Sequence, residues 1–245
     1  MSTSSAKQDL IEATGRNYND IIFEEDYIPR EIYLYQIGLR NEIIRKRLGS
    51  GKVPAILDLG CGTGFHLLEL QKHADLLVGT DLSLGALKEC RKLYDADFIL
   101  CDVRHLPFRE KTFDVIWIAG LLHHIPHDVG PALCQNIAPS LKSGGLLLID
   151  EPNVGNPANI VNMKLSKADP TGDEFPLSAE KVKRVLWEKS QFTILSCDFY
   201  GLLAPLGILS QIHVLQMAFL KFDTLLEGTF LKHVLLRWII AARRN

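Results

Sequence analysis

Residues 55–64, Ala-Ile-Leu-Asp-Leu-Gly-Cys-Gly-Thr-Gly, constrain the fold of this chain more than any other stretch. Ala55, Ile56, Leu57 and Leu59 form an apolar run broken by one acid, Asp58, and the run dissolves into Gly60, Gly62 and Gly64. Phe65 to Leu70 then has helical apolar spacing. A buried strand that turns through glycines into a helix lets the backbone approach a ligand closely and presents unpaired N–H groups to it. The turn is not a dinucleotide fingerprint. G-x-G-x-x-G counted from Gly60 requires glycine at position 65, where Phe65 stands. Asp58, two residues before Gly60, is placed to accept hydrogen bonds from the loop or from a cationic ligand.

The rest of the chain alternates in step with that corner. Leu76–Thr80 reads as a strand ending at Asp81, and Ser83 caps a helix running to Leu93. Phe98–Cys101 is a third strand ending at Asp102, Phe113–Ala119 a fourth, and Leu146–Ile149 a fifth entered through Gly144-Gly145. Apolar strands separated by helices predict a parallel sheet covered on both faces, in a single α/β domain. Glu151 to Pro157 reads as a loop at the end of strand five, Ser178 starts a helix to about Lys189, and Phe192–Tyr200 is a strand. Val234–Ala242 reads as the last strand. Before the sheet, residues 1–52 form a helical cap in which Ile32 to Leu48 recur at helical spacing with Arg40, Arg45, Lys46 and Arg47 between them. Tyr18 and Tyr27 of that cap are candidates for a lid.

Three acids at the ends of three successive strands need a reason, because a carboxylate near buried strand ends costs desolvation unless donors reach it. A nucleoside has such donors in its ribose hydroxyls and adenine amino group. Asp81 follows Asp58 by 23 residues, near the offset of about 20 expected of a ribose-binding acid. Asp102, with Val103 beside it, falls on the far side of such a pocket.

The segments D-L-G-C-G-T-G, G-T-D-L-S, C-D-V-R-H-L-P-F, F-D-V-I-W-I-A-G-L-L-H-H-I and L-K-S-G-G-L-L-L-I-D occur in this order between residues 58 and 150. They resemble the class I S-adenosylmethionine-dependent methyltransferases, and among these the ubiquinone and menaquinone methyltransferases, over about residues 53–151. The resemblance implies a doubly wound, mostly parallel seven-stranded Rossmann-like sheet with an antiparallel last strand. It also implies S-adenosylmethionine as cofactor, leaving S-adenosylhomocysteine. Gly60, Cys61 and Gly62 would pass the methionine moiety, and Asp58 would support its amino group or the loop. Asp81 would hold the ribose, with Leu82 touching adenine and Val103 covering the ring. Asp102 would accept from the adenine amino group, and Ala119 and Gly120 would lie beneath the methionine part. Residues 201–233 become an insert before the last strand.

His123-His124 follows strand four, and His127 comes soon after. No cysteine or acid stands at a ligand spacing that would make this a metal site. Two readings of His124 stay open: a general base near the acceptor, or an anchor for a loop over the cofactor. Methyl transfer from a sulfonium needs alignment and exclusion of water more than acid–base groups, so the lack of a triad does not argue against catalysis.

A formal charge of −2 disfavours a nucleic-acid partner. The five scattered cysteines and an N-terminus without an apolar core point to a cytoplasmic protein. From Phe199 to Leu220 there are 22 residues with no Lys, Arg, Asp or Glu, long enough for a span, but Pro205, Gln211, His213 and Gln216 interrupt it. The insert is expected to cap a pocket, join a homodimer, or touch a membrane peripherally with help from Lys232, Arg237, Arg243 and Arg244. The expected activity is methyl transfer to a small-molecule or lipid-like acceptor. The alternatives are a non-catalytic module that binds the cofactor and a nicotinamide-dependent oxidoreductase, which Phe65 argues against.

Overall fold

The computed structural model describes residues 30–125, 136–157, 159–160, 177–188, 191–201, 218, 221–222, 225–226 and 229–245. Tyr18, Tyr27, His127 and most of the 201–233 insert lie outside the described residues. Helix α1 (Arg30–Leu48) leads into β1 (Val53–Leu59), α2 (Leu67–Leu70), β2 (Ala74–Asp81), α3 (Leu84–Leu93), β3 (Asp97–Leu100) and β4 (Phe113–Ala119). Then come β5 (Leu141–Pro152), α4 (Ala179–Glu188), β6 (Phe192–Tyr200) and β7 (Arg237–Arg244). The strands form one sheet in the order β3-β2-β1-β4-β5-β7-β6. Strands β1 to β5 pair in parallel, and β7 runs antiparallel to both β5 and β6.

Side chains alternate between the two faces of the strands, which explains the near-continuous apolar runs. Leu57, Leu59, Ile116, Ile118, Leu147 and Ile149 pack on one face with Ala179, Val182 and Leu186 of α4. Ile56, Val115, Trp117, Leu148 and Ile239 pack on the other, against Leu39 and Ile44 of α1, Leu67 and Leu70 of α2, and Leu87 of α3. Helix α3 begins where its cap predicts, with Ser83 Oγ accepting from Ala86 N at 3.2 Å. Ser178 Oγ accepts from Lys181 N in the same way at the start of α4.

The structure differs from the sequence reading at several borders. The helix after the glycines is a single turn followed by a 3₁₀ turn, Gln71–His73, because β2 already begins at Ala74. Strand β5 absorbs Gly144, Gly145, Glu151 and Pro152, so the expected loop starts later. The last strand begins at Arg237 rather than Val234, since Phe230–Val234 is a 3₁₀ turn, and it continues to Arg244. Arginines on α1 do not all face solvent. Arg40 is buried, Arg45 grips Glu69 through Nε at 2.8 Å and Nη2 at 2.9 Å, and Arg47 pairs with Asp198. Among the described residues no helix is long and apolar enough to cross a membrane.

Candidate functional site

The strand order reverses between β1 and β4, and in an open α/β sheet ligands bind in the crevice outside the strand ends at such a switch point. Two loops border it. The loop after β1 turns through Gly60, Gly62 and Gly64, with φ of +75°, +52° and +86°. Gly60 N and Cys61 N donate to Thr80 O at 2.8 and 2.9 Å, so the loop is pinned to β2. A Cβ on Gly60 would stand 2.9 Å from Leu121, so glycine here lets the loops after β1 and β4 approach each other. Gly120, with φ +64°, opens the second loop. The Cβ it lacks would lie 3.8 Å from His123 Cε1 and 3.9 Å from Arg237 Nη2.

The acids at the first three strand ends are held in three different ways. Asp81 accepts from Gly62 N through Oδ2 and from Ser83 N through Oδ1, each at 2.8 Å. These bonds fix its carboxylate at the lip of the crevice and leave acceptor capacity on both oxygens. Burial raises its pKa against the opposing pull of the backbone N–H groups of Ser83, Gly62 and Leu82. Asp58 is buried, and no donor among the described residues hydrogen-bonds it. Burial, with the negative charge of Asp81 second, pushes its carboxyl up to about 8. Asp102 accepts from the backbone N of Arg104 at 2.8 Å and from its guanidinium, which engages both oxygens. Its acceptor sites, expected to face an adenine amino group, are filled by its neighbour but one. Val103 is buried in the core and Cys61 beneath the loop, whereas Leu82, Ala119 and Gly120 are partly exposed along the crevice. The Cys61 thiol is pushed well up by its contact with the Cys90 thiol and by burial, so it stays protonated.

The end of β5 carries the chemistry that sequence reading missed. Asp150 and Glu151 are successive and fully buried, and they point to opposite faces of the sheet. On the α1 face, Asp150 Oδ1 accepts from Arg40 Nε at 3.1 Å and from Arg237 Nε at 2.7 Å, and Tyr200 Oη donates to Oδ2. Two guanidiniums therefore converge on one carboxylate, whose pKa they pull down against burial. His66 lies near this cluster, and burial and the nearby guanidiniums push it down to about 3. On the opposite face, Glu151 Oε1 accepts from Leu121 N at 2.9 Å and from Leu122 N at 2.7 Å. Its Oε2 lies 2.6 Å from His123 Nδ1. His124 stacks against His123 with ring centroids 4.0 Å apart. Burial, and then the charge of His123, hold His124 well below the ordinary imidazole value. The doubled histidine was a visible signal for this site, but nothing local showed that Glu151 would select His123.

Among the described residues no three His, Cys, Asp or Glu side chains gather into a metal site. Arg237 is not a basic surface neighbour of the insert, as its position in sequence suggested, because it is buried on Asp150. Arg244 donates to Pro139 O at 3.0 Å, and Lys232 lies 5.7 Å from the centroid of the Phe199 ring. A loop stripped of Cβ atoms, a carboxylate fixed by backbone N–H groups and a neutral acid that a cation would ionise fit a ligand with vicinal hydroxyls and an ammonium group.

Comparison with known proteins agrees with that fit. Residues 56–145 match a family model described as a methyltransferase domain. A demethylmenaquinone methyltransferase from Corynebacterium kroppenstedtii is 36% identical over 113 residues, 46% of this chain and 48% of the relative. A tRNA U34 carboxymethyltransferase from Desulfotalea psychrophila is 26% identical over 118 residues, 45% of this chain and 36% of the relative. The matched stretch thus spans about half the length of these curated relatives, or less. A solved SAM-dependent methyltransferase from Archaeoglobus fulgidus shares the fold at a TM-score of 0.61 and 18% identity, covering 86% of this chain and 98% of that one. The matched domain and the shared sheet topology together support a class I S-adenosylmethionine-dependent methyltransferase.

Proposed function

We propose that the chain transfers the methyl group of S-adenosylmethionine to a small-molecule or lipid-like acceptor. The observation that carries this reading is Asp81, which two loop N–H groups hold in place at the end of β2 while leaving acceptor capacity on both oxygens. It is the natural partner of a ribose diol. Around it, Gly60, Cys61 and Gly62 pass the methionine chain, Ala119 and Gly120 lie beneath that chain, and Asp58 meets the ammonium. Leu82 borders adenine, with Val103 behind it. Asp102 takes the adenine amino group only if Arg104 gives up part of its hold, which makes its contribution the weaker one. His124 fits the anchoring role better than the basic one, since its ring stays neutral and closely stacked on His123. When bound, the sulfonium supplies an already activated methyl group, and the chain has to align the acceptor and exclude water.

The relatives named for menaquinone and tRNA substrates divide the choice of acceptor. A formal charge of −2 favours the small molecule, as a basic surface is the usual footprint of nucleic-acid binding. The test is a mass spectrum of the gently purified protein for retained S-adenosylhomocysteine, followed by calorimetric titration. Absence of binding at millimolar S-adenosylhomocysteine sinks the reading. Phe222, Leu225 and Phe230 are exposed, with Lys221 beside them. They support a finer reading in which a cytoplasmic enzyme touches a membrane peripherally through the insert. Co-sedimentation with anionic liposomes that is lost on deleting residues 201–233 is the expected result, and a protein that stays in the supernatant rejects it.

A further inference from the structure

Two guanidiniums on the α1 face of the sheet carry more charge and more donors than the protein uses. Arg40 and Arg237 are each 8% exposed, and both converge on Asp150 Oδ1, where Arg40 Nε donates at 3.1 Å and Arg237 Nε at 2.7 Å. Arg237 Nη2 donates to the same oxygen and, at 3.4 Å, to Asp150 O. Arg237 Nη1 and both Nη atoms of Arg40 have no partner among the described residues, and none of the three is sealed from solvent. The charges on this face do not balance either. Tyr200 is a neutral donor to Asp150, and burial and the guanidiniums keep His66 neutral. Glu151 is committed across the sheet to Leu121 N, Leu122 N and His123. Among the described residues one positive charge is left over, and a largely buried cation without an anion is costly.

The surplus sits beside the crevice. The Cβ that Gly120 lacks would lie 3.9 Å from Arg237 Nη2, and among the described residues only His123 Cε1 comes as close. The space over Gly120 is therefore open and bounded on one side by this guanidinium. Strand β5, which carries Asp150, is two strands from β1, about 10 Å at the usual strand spacing. With the cofactor's ammonium at Asp58 on β1, the cofactor's carboxylate, tied to it through one carbon, stays on the near side of Gly120. The guanidiniums stand on the far side, where an acceptor approaches. We infer that Arg40 and Arg237 form a carboxylate clamp for the acceptor, which is therefore an acid that carries its carboxylate near the atom to be methylated. This inference rests on the methyltransferase reading above. The planar fork of a guanidinium matches a carboxylate through two parallel N–H···O bonds. A single surplus charge matches one carboxylate better than a doubly charged phosphate ester.

The test uses the full chain, free and loaded with S-adenosylhomocysteine, and a matched pair of probes, benzoate and benzamide, which share a shape and differ in charge. Ligand-observed NMR should show benzoate binding at least about tenfold more tightly than benzamide, the ratio that one charge-assisted hydrogen bond implies. Arg40→Gln, which can still donate to Asp150 but removes the surplus charge, should weaken benzoate by a similar factor. Arg237→Lys keeps the charge and gives up the fork. It should also weaken benzoate, and it covers the case in which Arg40→Gln fails to fold. Benzamide binding as tightly as benzoate, binding of neither, or benzoate binding unchanged in both variants overturns the clamp. Phenyl phosphate binding more tightly than benzoate overturns the carboxylate. If S-adenosylhomocysteine displaces benzoate from the parent protein, the clamp holds the cofactor's own carboxylate and the assignment to the acceptor falls. A parent protein that binds benzoate but not S-adenosylhomocysteine keeps the clamp, and that is the separate failure of the methyltransferase reading.

Discussion

The two halves of the sheet end in acids, yet the halves treat them in opposite ways. At the ends of β1 and β2, Asp58 and Asp81 are met by backbone N–H groups or by no described donor. At the end of β5, Asp150 is closed off by two arginines and a tyrosine, and Glu151 by a histidine and two N–H groups. Backbone N–H groups fix the Asp81 carboxylate without neutralising it, so it keeps capacity for a ligand, whereas Asp102 at the end of β3 is already engaged by Arg104. Arginines neutralise, so Asp150 is spent inside the protein. There it joins α1, β6 and β7 to the centre of the sheet, since Arg40, Tyr200 and Arg237 come from those three elements. The lesson is that an acid at a strand end can serve as a binding group only where its partners leave acceptor sites unfilled.

The largest effect should come from breaking the closed half. Asp150→Ala leaves two buried guanidiniums without their anion and should cost about 3–5 kcal/mol, the usual cost of removing one partner of a buried pair. Urea denaturation measures it, and a loss below 1 kcal/mol would show that the network is not a lock. Glu151→Gln, one residue on, keeps an oxygen for Leu121 N and Leu122 N and should cost less, about 1–3 kcal/mol. In the open half the loss should fall on ligand affinity instead. Asp81→Ala should weaken S-adenosylhomocysteine binding by about 2–4 kcal/mol, because hydrogen bonds to a charged group are worth roughly 1.5–3 each and do not add fully. Asp102→Ala should cost less than Asp81→Ala, given the hold of Arg104 on that carboxylate. Reversal of this order in calorimetry would place the ribose at the wrong acid.

The open half was the legible half. Its glycines and acids lie within a few residues of the strands that carry them, so Gly60, Gly62, Asp58 and Asp81 announce themselves by local spacing. Strand β4 and the capped helix α3 were equally local, and their borders fall where the apolar runs and Ser83 put them. The closed half depends on contacts far apart in sequence. Arg40 and Asp150 are 110 residues apart and Arg237 and Asp150 are 87 apart, so nothing near Arg40 distinguishes it from a solvated helix arginine. The same holds for His123, which no property of the His-His pair separates from His124 until Glu151 is brought against it, 28 residues on. The borders of β5 and β7 were missed for a related reason. Each is extended by pairing with the other, Leu146 opposite Arg243 through Pro152 opposite Arg237, and pairing overrides the local turn preference of Pro152.

The smallest effect tests the open half most directly, through Asp58. Burial lifts its carboxyl to about 8, so the folded chain keeps a proton that the unfolded chain releases near the ordinary value of 3.8. Between those two values the folded state binds more protons than the unfolded one, and stability therefore falls as pH rises through the window. Asp58→Asn, which has nothing to ionise, should flatten that fall. An ammonium group arriving beside Asp58 works the other way and favours the charged carboxylate. At pH 7 the free protein should hold Asp58 mostly protonated, and binding of S-adenosylhomocysteine should expel up to one proton. Calorimetry in two buffers of unlike ionisation enthalpy reads this as two different apparent binding enthalpies for the parent and a single one for Asp58→Asn. If the parent also gives one enthalpy in both buffers, the amino group of the ligand does not sit against Asp58, and that acid serves only the glycine loop.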